Sequence, residues 1–197
     1  MKIKTSAIVL CAVAAFALHA ANPADSKTPD KKQNSNVVFT EDFETKNNKS
    51  WAVRPGYVFQ RGEGVDATGG LSLSRPDAAA AYTFSRCDVT GFQPGHKYRL
   101  SMMIKVQGLK KDGKPLPYVK IQVAGFDFFE GKKYLGSANI PVAVKNGNAD
   151  WKEYSTVFTV PGKVRAASLC FFLRKPYTCD KISWDNIKVE EIGGTAK

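Results

Sequence analysis

Tyr98-Arg99-Leu100-Ser101-Met102-Met103-Ile104-Lys105-Val106 decides the fold. Tyr98, Leu100, Met102, Ile104 and Val106 recur at every second position, and Arg99, Ser101, Met103 and Lys105 alternate with them. Successive side chains of an extended chain point to opposite faces, so this period of two predicts a strand with one buried face. The turn Thr90-Gly91-Phe92-Gln93-Pro94-Gly95 feeds into it. Residues 108–117, with Lys-Lys-Asp-Gly-Lys-Pro, read as an exposed turn leading out.

The same texture extends in both directions. Strands are predicted over residues 37–43, 57–60, 71–74 and 81–87 upstream, and over 118–126, 154–160, 168–174 and 182–189 downstream. In residues 118–126, Val119, Ile121 and Val123 form the core face. Tyr118, Lys120, Gln122, Ala124 and Phe126 form the opposite face, which mixes aromatic and polar groups. No stretch of ten residues carries a helical period. Eight to ten short strands with Gly, Pro, Asn and Asp between them predict an all-β sandwich.

The chain's 197 residues are 24% charged and 43% hydrophobic, ordinary globular composition. Its start differs: Lys2 and Lys4 precede an apolar run over residues 7–18, and Ala20 and Ala21 follow. That pattern predicts a signal peptide over residues 1–21, since the run is shorter than the roughly 20 residues that span a bilayer. Leu10, directly before Cys11, is not small, which argues against lipidation. Residues 22–36 hold no apolar residue larger than alanine and read as a flexible polar linker. One domain over 37–192 and a short tail, 193–197, complete the predicted organisation. The product is expected to be exported, to the periplasm, the cell surface or the medium, without membrane insertion after cleavage, and to be a monomer.

Removing Lys2 and Lys4 lowers the formal charge from +11 to +9, with the remaining cations spread along the chain. Three cysteines remain after residue 21: Cys87, Cys170 and Cys179. An exported compartment permits disulfides, and an odd count allows at most one pair. Cys170 and Cys179 flank an expected hairpin turn and are the best candidates for it.

Several motifs in order carry a resemblance. Glu41-Asp42-Phe43-Glu44 precedes Trp51, and Gly69-Gly70-Leu71-Ser72-Leu73 follows. Then come Gln93-Pro94-Gly95-His96-Lys97-Tyr98-Arg99-Leu100-Ser101 and Trp151-Lys152-Glu153-Tyr154-Ser155 with Phe158-Thr159. The series ends in Ile182-Ser183-Trp184-Asp185-Asn186-Ile187-Lys188-Val189. Across residues 37–192 the chain resembles the jelly-roll carbohydrate-binding modules of the family 4, 9 and 22 type, part of the galactose-binding-like group. The resemblance implies a β-sandwich jelly roll that binds poly- or oligosaccharide on a concave sheet. The implied glycan-binding residues are Tyr118, Lys120, Gln122, Phe126 and Arg174, with Tyr57, Arg75 and Tyr82 toward the rim. Aromatic faces stack on sugar rings, and amide and charged groups meet their hydroxyls. It also implies a structural calcium near the meeting of the first and last strands. Asp42, Asp185 and the carbonyl of Gly69 would supply oxygens, with Glu44 as a further ligand and Asn186 in place of the family's second acid.

No enzyme chemistry is expected. His96 is the one histidine after residue 21 and has no evident catalytic partner in the sequence, while Asp127 and Glu130 border a Gly-Lys-Lys turn and read as solvated. Nucleic acid is not an expected partner, because the cations form no stripe interleaved with stacking aromatics. The alternative function is a structural or adhesive surface domain that contacts a protein.

Overall fold

The computed structural model describes residues 36–44, 51–79 and 84–194. The expected signal peptide, nearly all of the linker, Tyr82 and the end of the tail lie outside the described residues. Thirteen strands are present among those described: β1 (Val37–Glu41), β2 (Trp51–Ala52), β3 (Tyr57–Arg61), β4 (Gly69–Arg75), β5 (Phe84–Val89), β6 (Lys97–Gln107), β7 (Lys110–Lys111), β8 (Lys114–Pro115), β9 (Tyr118–Glu130), β10 (Lys133–Lys145), β11 (Ala149–Thr159), β12 (Ala166–Phe172) and β13 (Tyr177–Gly193). They form two antiparallel sheets, one of eight strands with the main order β11-β6-β13-β4-β3 and one of five in the order β10-β9-β12-β5-β2. The expected β-sandwich jelly roll is the fold.

Strand β13 organises the larger sheet. From Lys181 to Gly193 it pairs with β6, while its other edge is shared by β4 along the first half and β1 along the second. The alternation in β6 plays out as read: Tyr98, Leu100, Met102 and Ile104 are fully buried and Val106 nearly so. They meet Leu71, Trp184 and Val189 from their own sheet and Leu169, Phe171 and Phe126 from the other.

Three local expectations need correction. Strand β10 was not legible because Gly136 and Pro141 interrupt its pattern, although Ile140, Val142 and Val144 alternate inward. It is an edge strand, where a missing N–H is tolerated. The segment over residues 108–117 is more than an exposed turn: Leu109 is buried, and β7 and β8 form a small hairpin docked on the start of β13. The third correction concerns Phe126. In the β9–β10 pairing, Gln122 faces Pro141 and Gly125 faces Asn139, so Val123 and Ala124 together oppose Ile140. This bulge inserts one residue and reverses the inward phase downstream of it. Ala124 and Phe126, read as outward, are therefore fully buried.

Cys170 and Cys179 do not flank a hairpin. Strand β12 sits between β9 and β5 in one sheet and β13 between β6 and β4 in the other, so the chain between them crosses from sheet to sheet. Both are free, buried thiols. Burial, aided by the Asp127 charge, pushes Cys170 up to about 12, and burial pushes Cys179 up to about 11. Since the thiolate is the reactive form, a thiol reagent should leave both unmodified in the native protein. Both should react after unfolding in denaturant without reductant; a disulfide-linked peptide containing the two would overturn this pairing assignment.

Candidate functional site

The five-stranded sheet turns one face to the core and the other outward. On β12 the core side carries Leu169 and Phe171, and the outer side carries Ser168, Cys170 and Phe172. Cross-strand pairing extends these outer positions into rows. Ser168 stands between Asp88 on β5 and Asp127 on β9, and Ser137 of β10 continues that row. Cys170 stands between Arg86 and Gly125, followed by Asn139. Past the bulge, Gln122, Lys120 and Tyr118 point outward opposite Pro141, Ala143 and Lys145.

Hydrogen bonds tie the upper rows together. The Ser168 hydroxyl donates to Asp88 Oδ1 at 2.6 Å, and the Cys170 thiol donates to Asp127 Oδ2 at 3.7 Å. Burial raises the Asp127 pKa, opposed by that thiol and by the Arg174 charge. Asp127 is thus a half-buried member of the face, not the solvated turn residue expected. Gly125 marks a close approach: a Cβ there would lie 2.4 Å from the Ala138 carbonyl oxygen and from Asn139 Oδ1. No larger residue fits without displacing β10.

At the lower end Lys120, Gln122, Arg174 and Tyr177 line a pocket of about 280 Å³ with Leu173 at its wall. That volume falls just below the usual range of about 300–1,000 Å³ for ligand sites. Arg174 lies over the Phe172 ring at 5.2 Å, a cation–π contact that covers the aromatic. Tyr118, 62% exposed, remains open beside the pocket's strand.

The structure brings together four of the eight expected glycan-binding residues, Tyr118, Lys120, Gln122 and Arg174. It separates three. Phe126 is in the core, with Phe92, Phe128 and Phe158 around it at 5.2–6.0 Å. Tyr57 is buried against Trp184, its hydroxyl donating to the Phe171 carbonyl at 2.7 Å, so it spans the sandwich instead of rimming a cleft. Arg75 is buried, with its guanidinium donating to the Leu173 carbonyl. Tyr82 lies outside the described residues. Sequence reading passed over Arg86, Asp88, Asn139 and Ser168, which come from three different strands; only sheet pairing joins them.

A second cluster lies on the outer side of the eight-stranded sheet. A bulge after Asp185, with Asn186 at φ 49°, sets the Asp185 carboxylate beneath the loop over residues 63–68. Its Oδ2 accepts the Val65 amide at 2.8 Å and the Thr68 hydroxyl at 3.1 Å; its Oδ1 accepts the Asn186 amide at 2.6 Å. Burial raises its pKa, the three hydrogen bonds oppose the rise, and the Glu44 charge adds to it. The Gly69 amide donates to Glu44, and a Cβ on Gly69 would lie 2.3 Å from the Phe43 carbonyl oxygen, so glycine permits this contact. Gly69 and Asp185 are therefore assembled, with Glu44 bearing on them. Asp42 instead accepts the Glu44 amide at 3.1 Å and lines a separate pocket of about 410 Å³ with Asn186 and Lys188. Two carboxylates and main-chain carbonyls are a donor set suited to a hard cation. Among the described residues no group of three His, Cys, Asp or Glu side chains gathers to hold a metal.

His96 has a partner that the sequence did not reveal: its Nδ1 lies 2.7 Å from Glu191 Oε1. That pair belongs to the eight-stranded sheet, apart from the acids Asp88 and Asp127. No helix among the described residues is long and apolar enough to cross a membrane.

Comparison with known proteins bears on this geometry. Residues 35–179 match the family described as Carbohydrate binding domain. No curated protein matches the sequence. Among solved structures, the family 22 xylan-binding domain from Paenibacillus barcinonensis xylanase 10C superposes with a TM-score of 0.55 at 10% identity, covering 82% of this chain and 97% of that one. The family 22 and catalytic modules of Clostridium thermocellum xylanase 10B, complexed with xylohexaose, give 0.56 at 15% identity; the match covers 82% of this chain and 29% of that one. The K1 cleaved adhesin domain of Lys-gingipain from Porphyromonas gingivalis gives 0.50 at 11% identity, over 79% and 98%. At such identities the structural likenesses speak for the fold, and the family match speaks for the lineage. The chain therefore belongs to the carbohydrate binding domain family, as a jelly-roll module whose function is to bind carbohydrate.

Proposed function

We propose that this module binds a poly- or oligosaccharide on the outer face of its five-stranded sheet and does not cleave it. The observation that carries the reading is the convergence of Lys120, Gln122, Arg174 and Tyr177 on one pocket, with Tyr118 exposed beside it. Sugar recognition needs an apolar surface for the ring and fixed polar groups for its hydroxyls, and this pocket offers both. The family 22 neighbours named for xylan make a β-linked pentose polymer the first glycan to try.

Affinity electrophoresis of the protein through gels holding neutral and acidic polysaccharides tests the reading. Retardation is expected in at least one. Gln122→Ala should weaken it about fivefold, the worth of one neutral hydrogen bond of about 1 kcal/mol. The number of reducing ends should stay constant during prolonged incubation. Folded protein that no glycan retards would remove the proposal, and a rise in reducing ends would replace it with an enzyme.

The Glu44–Asp185 cluster supports a structural calcium. Glu44, Asp185 and the Gly69 carbonyl would hold it, and its charge would offset the two neighbouring carboxylates. The basic, apolar and small-residue order of residues 1–21 supports export.

A further inference from the structure

We infer that the ligand of this face carries an anionic sugar, seated at the Lys120–Arg174 pocket. This inference rests on the glycan reading above and narrows it. The pocket is lined by two cations and no carboxylate. Its surroundings repeat that sign: Lys145 pairs with Tyr118 on β10, Lys175 follows Arg174, and Lys111 pairs with Tyr177. The ion pairs among the described residues, His96–Glu191, Lys110–Asp180, Lys181–Glu63 and Lys188–Glu190, engage none of these five cations. The face does have acids, but Asp88 and Asp127 lie in the upper row and already accept hydrogen bonds from Ser168 and Cys170. The face is zoned, with its positive charge gathered at one end and Asp127 bearing on Arg174 from the row above.

Two physical arguments turn that zoning into a ligand class. Cations gathered around a concave wall of low polarisability focus a positive potential into it. The second concerns hydrogen-bond direction. A sugar hydroxyl both donates and accepts, so a site for neutral rings needs acceptors as well as donors. Lys120 and Arg174 can only donate, which leaves the Gln122 carbonyl and the Tyr177 hydroxyl as the side-chain acceptors of the pocket. A set dominated by donors matches a group that only accepts. Carboxylate and sulfate are such groups, and the planar guanidinium can meet either with two parallel bonds. Uronate and sulfated rings share this chemistry.

The test is calorimetric titration of the full chain with glucuronoxylan, polygalacturonate and alginate, each beside its carboxyl-reduced form, and with carrageenan beside its desulfated form. At least one acidic polymer is expected to bind about tenfold more tightly than its neutral counterpart, and added salt should shrink the difference. Which pair shows it tells carboxylate from sulfate. Lys120→Gln and Arg174→Gln should each remove most of the preference. Lys163→Gln, which deletes an exposed cation between β11 and β12, should leave affinity within about twofold, since an isolated surface charge contributes little. Equal binding of acidic and neutral forms would overturn the inference and leave the glycan reading standing. No binding to any of these polymers or to neutral xylan by folded protein would overturn both, as would binding to anionic phospholipid vesicles alone.

Discussion

Phe126→Ala is expected to cost about 3–5 kcal/mol of folding stability, the range for truncating a large aromatic in a packed core. The ring is fully buried and sits among Phe92, Phe128 and Phe158 at 5.2–6.0 Å, so its removal strips contacts from three neighbours. Strands β5, β9 and β12 hold the site rigidly behind it, which leaves little room for the cavity to collapse. Urea unfolding measures the effect as a lowered midpoint at unchanged slope. The fraction that remains folded should bind glycan with wild-type affinity, because the ring faces away from the outer surface. A normal midpoint with lost binding would return Phe126 to the ligand face and refute the bulge in β9. Tyr118→Ala, by contrast, should change folding stability by no more than about 0.5 kcal/mol, as surface changes do.

Asp185→Ala has the next largest expected effect. The Val65 and Asn186 amides would lose their acceptor, the Thr68 hydroxyl would keep only the Val65 carbonyl, and the loop over residues 63–68 would lose one of its ties to β13, the Glu63–Lys181 pair remaining. A buried donor left without a partner costs about 1–3 kcal/mol, so a total near 3 kcal/mol is expected. The variant also separates the metal proposal from a purely structural role. With calcium at a hundredfold excess over its Kd, the wild type should gain about 2.7 kcal/mol, and the variant should gain nothing. An equal response of the two proteins, or none in the wild type, would remove calcium and leave Asp185 as the anchor of a loop.

The pH dependence of Asp185 follows from the same burial. Its pKa is raised in the folded chain, so the native state holds this proton more tightly than the unfolded state does. On its own this group makes stability rise as pH falls through the folded pKa, and the rise is complete at the ordinary aspartate value. Asp127 acts in the same direction. A bound cation would hold Asp185 charged and flatten its share of that rise, so urea midpoints measured across acid pH with and without calcium should diverge.

What the residues determine by themselves is the secondary structure with strict alternation and the order in which it is strung. Strand β6 is legible because five inward residues in phase can only be satisfied by one buried face, and turn residues bound it on both sides. Lys120, Gln122 and Tyr118 were legible as an outward set for the same reason. Tertiary structure decided everything that depends on counting across strands. One extra residue in β9 against β10 turned Phe126 from the surface to the core, and no local property of Val123 or Ala124 announces it. The crossover between β12 and β13 separated two cysteines that are close in sequence. Arg86, Asp88, Asp127 and Ser168 meet only because β5, β12 and β9 lie side by side. Period is a property of one strand and register a property of two, so a single sequence can state the first while the second is settled by which pairing buries the most apolar surface.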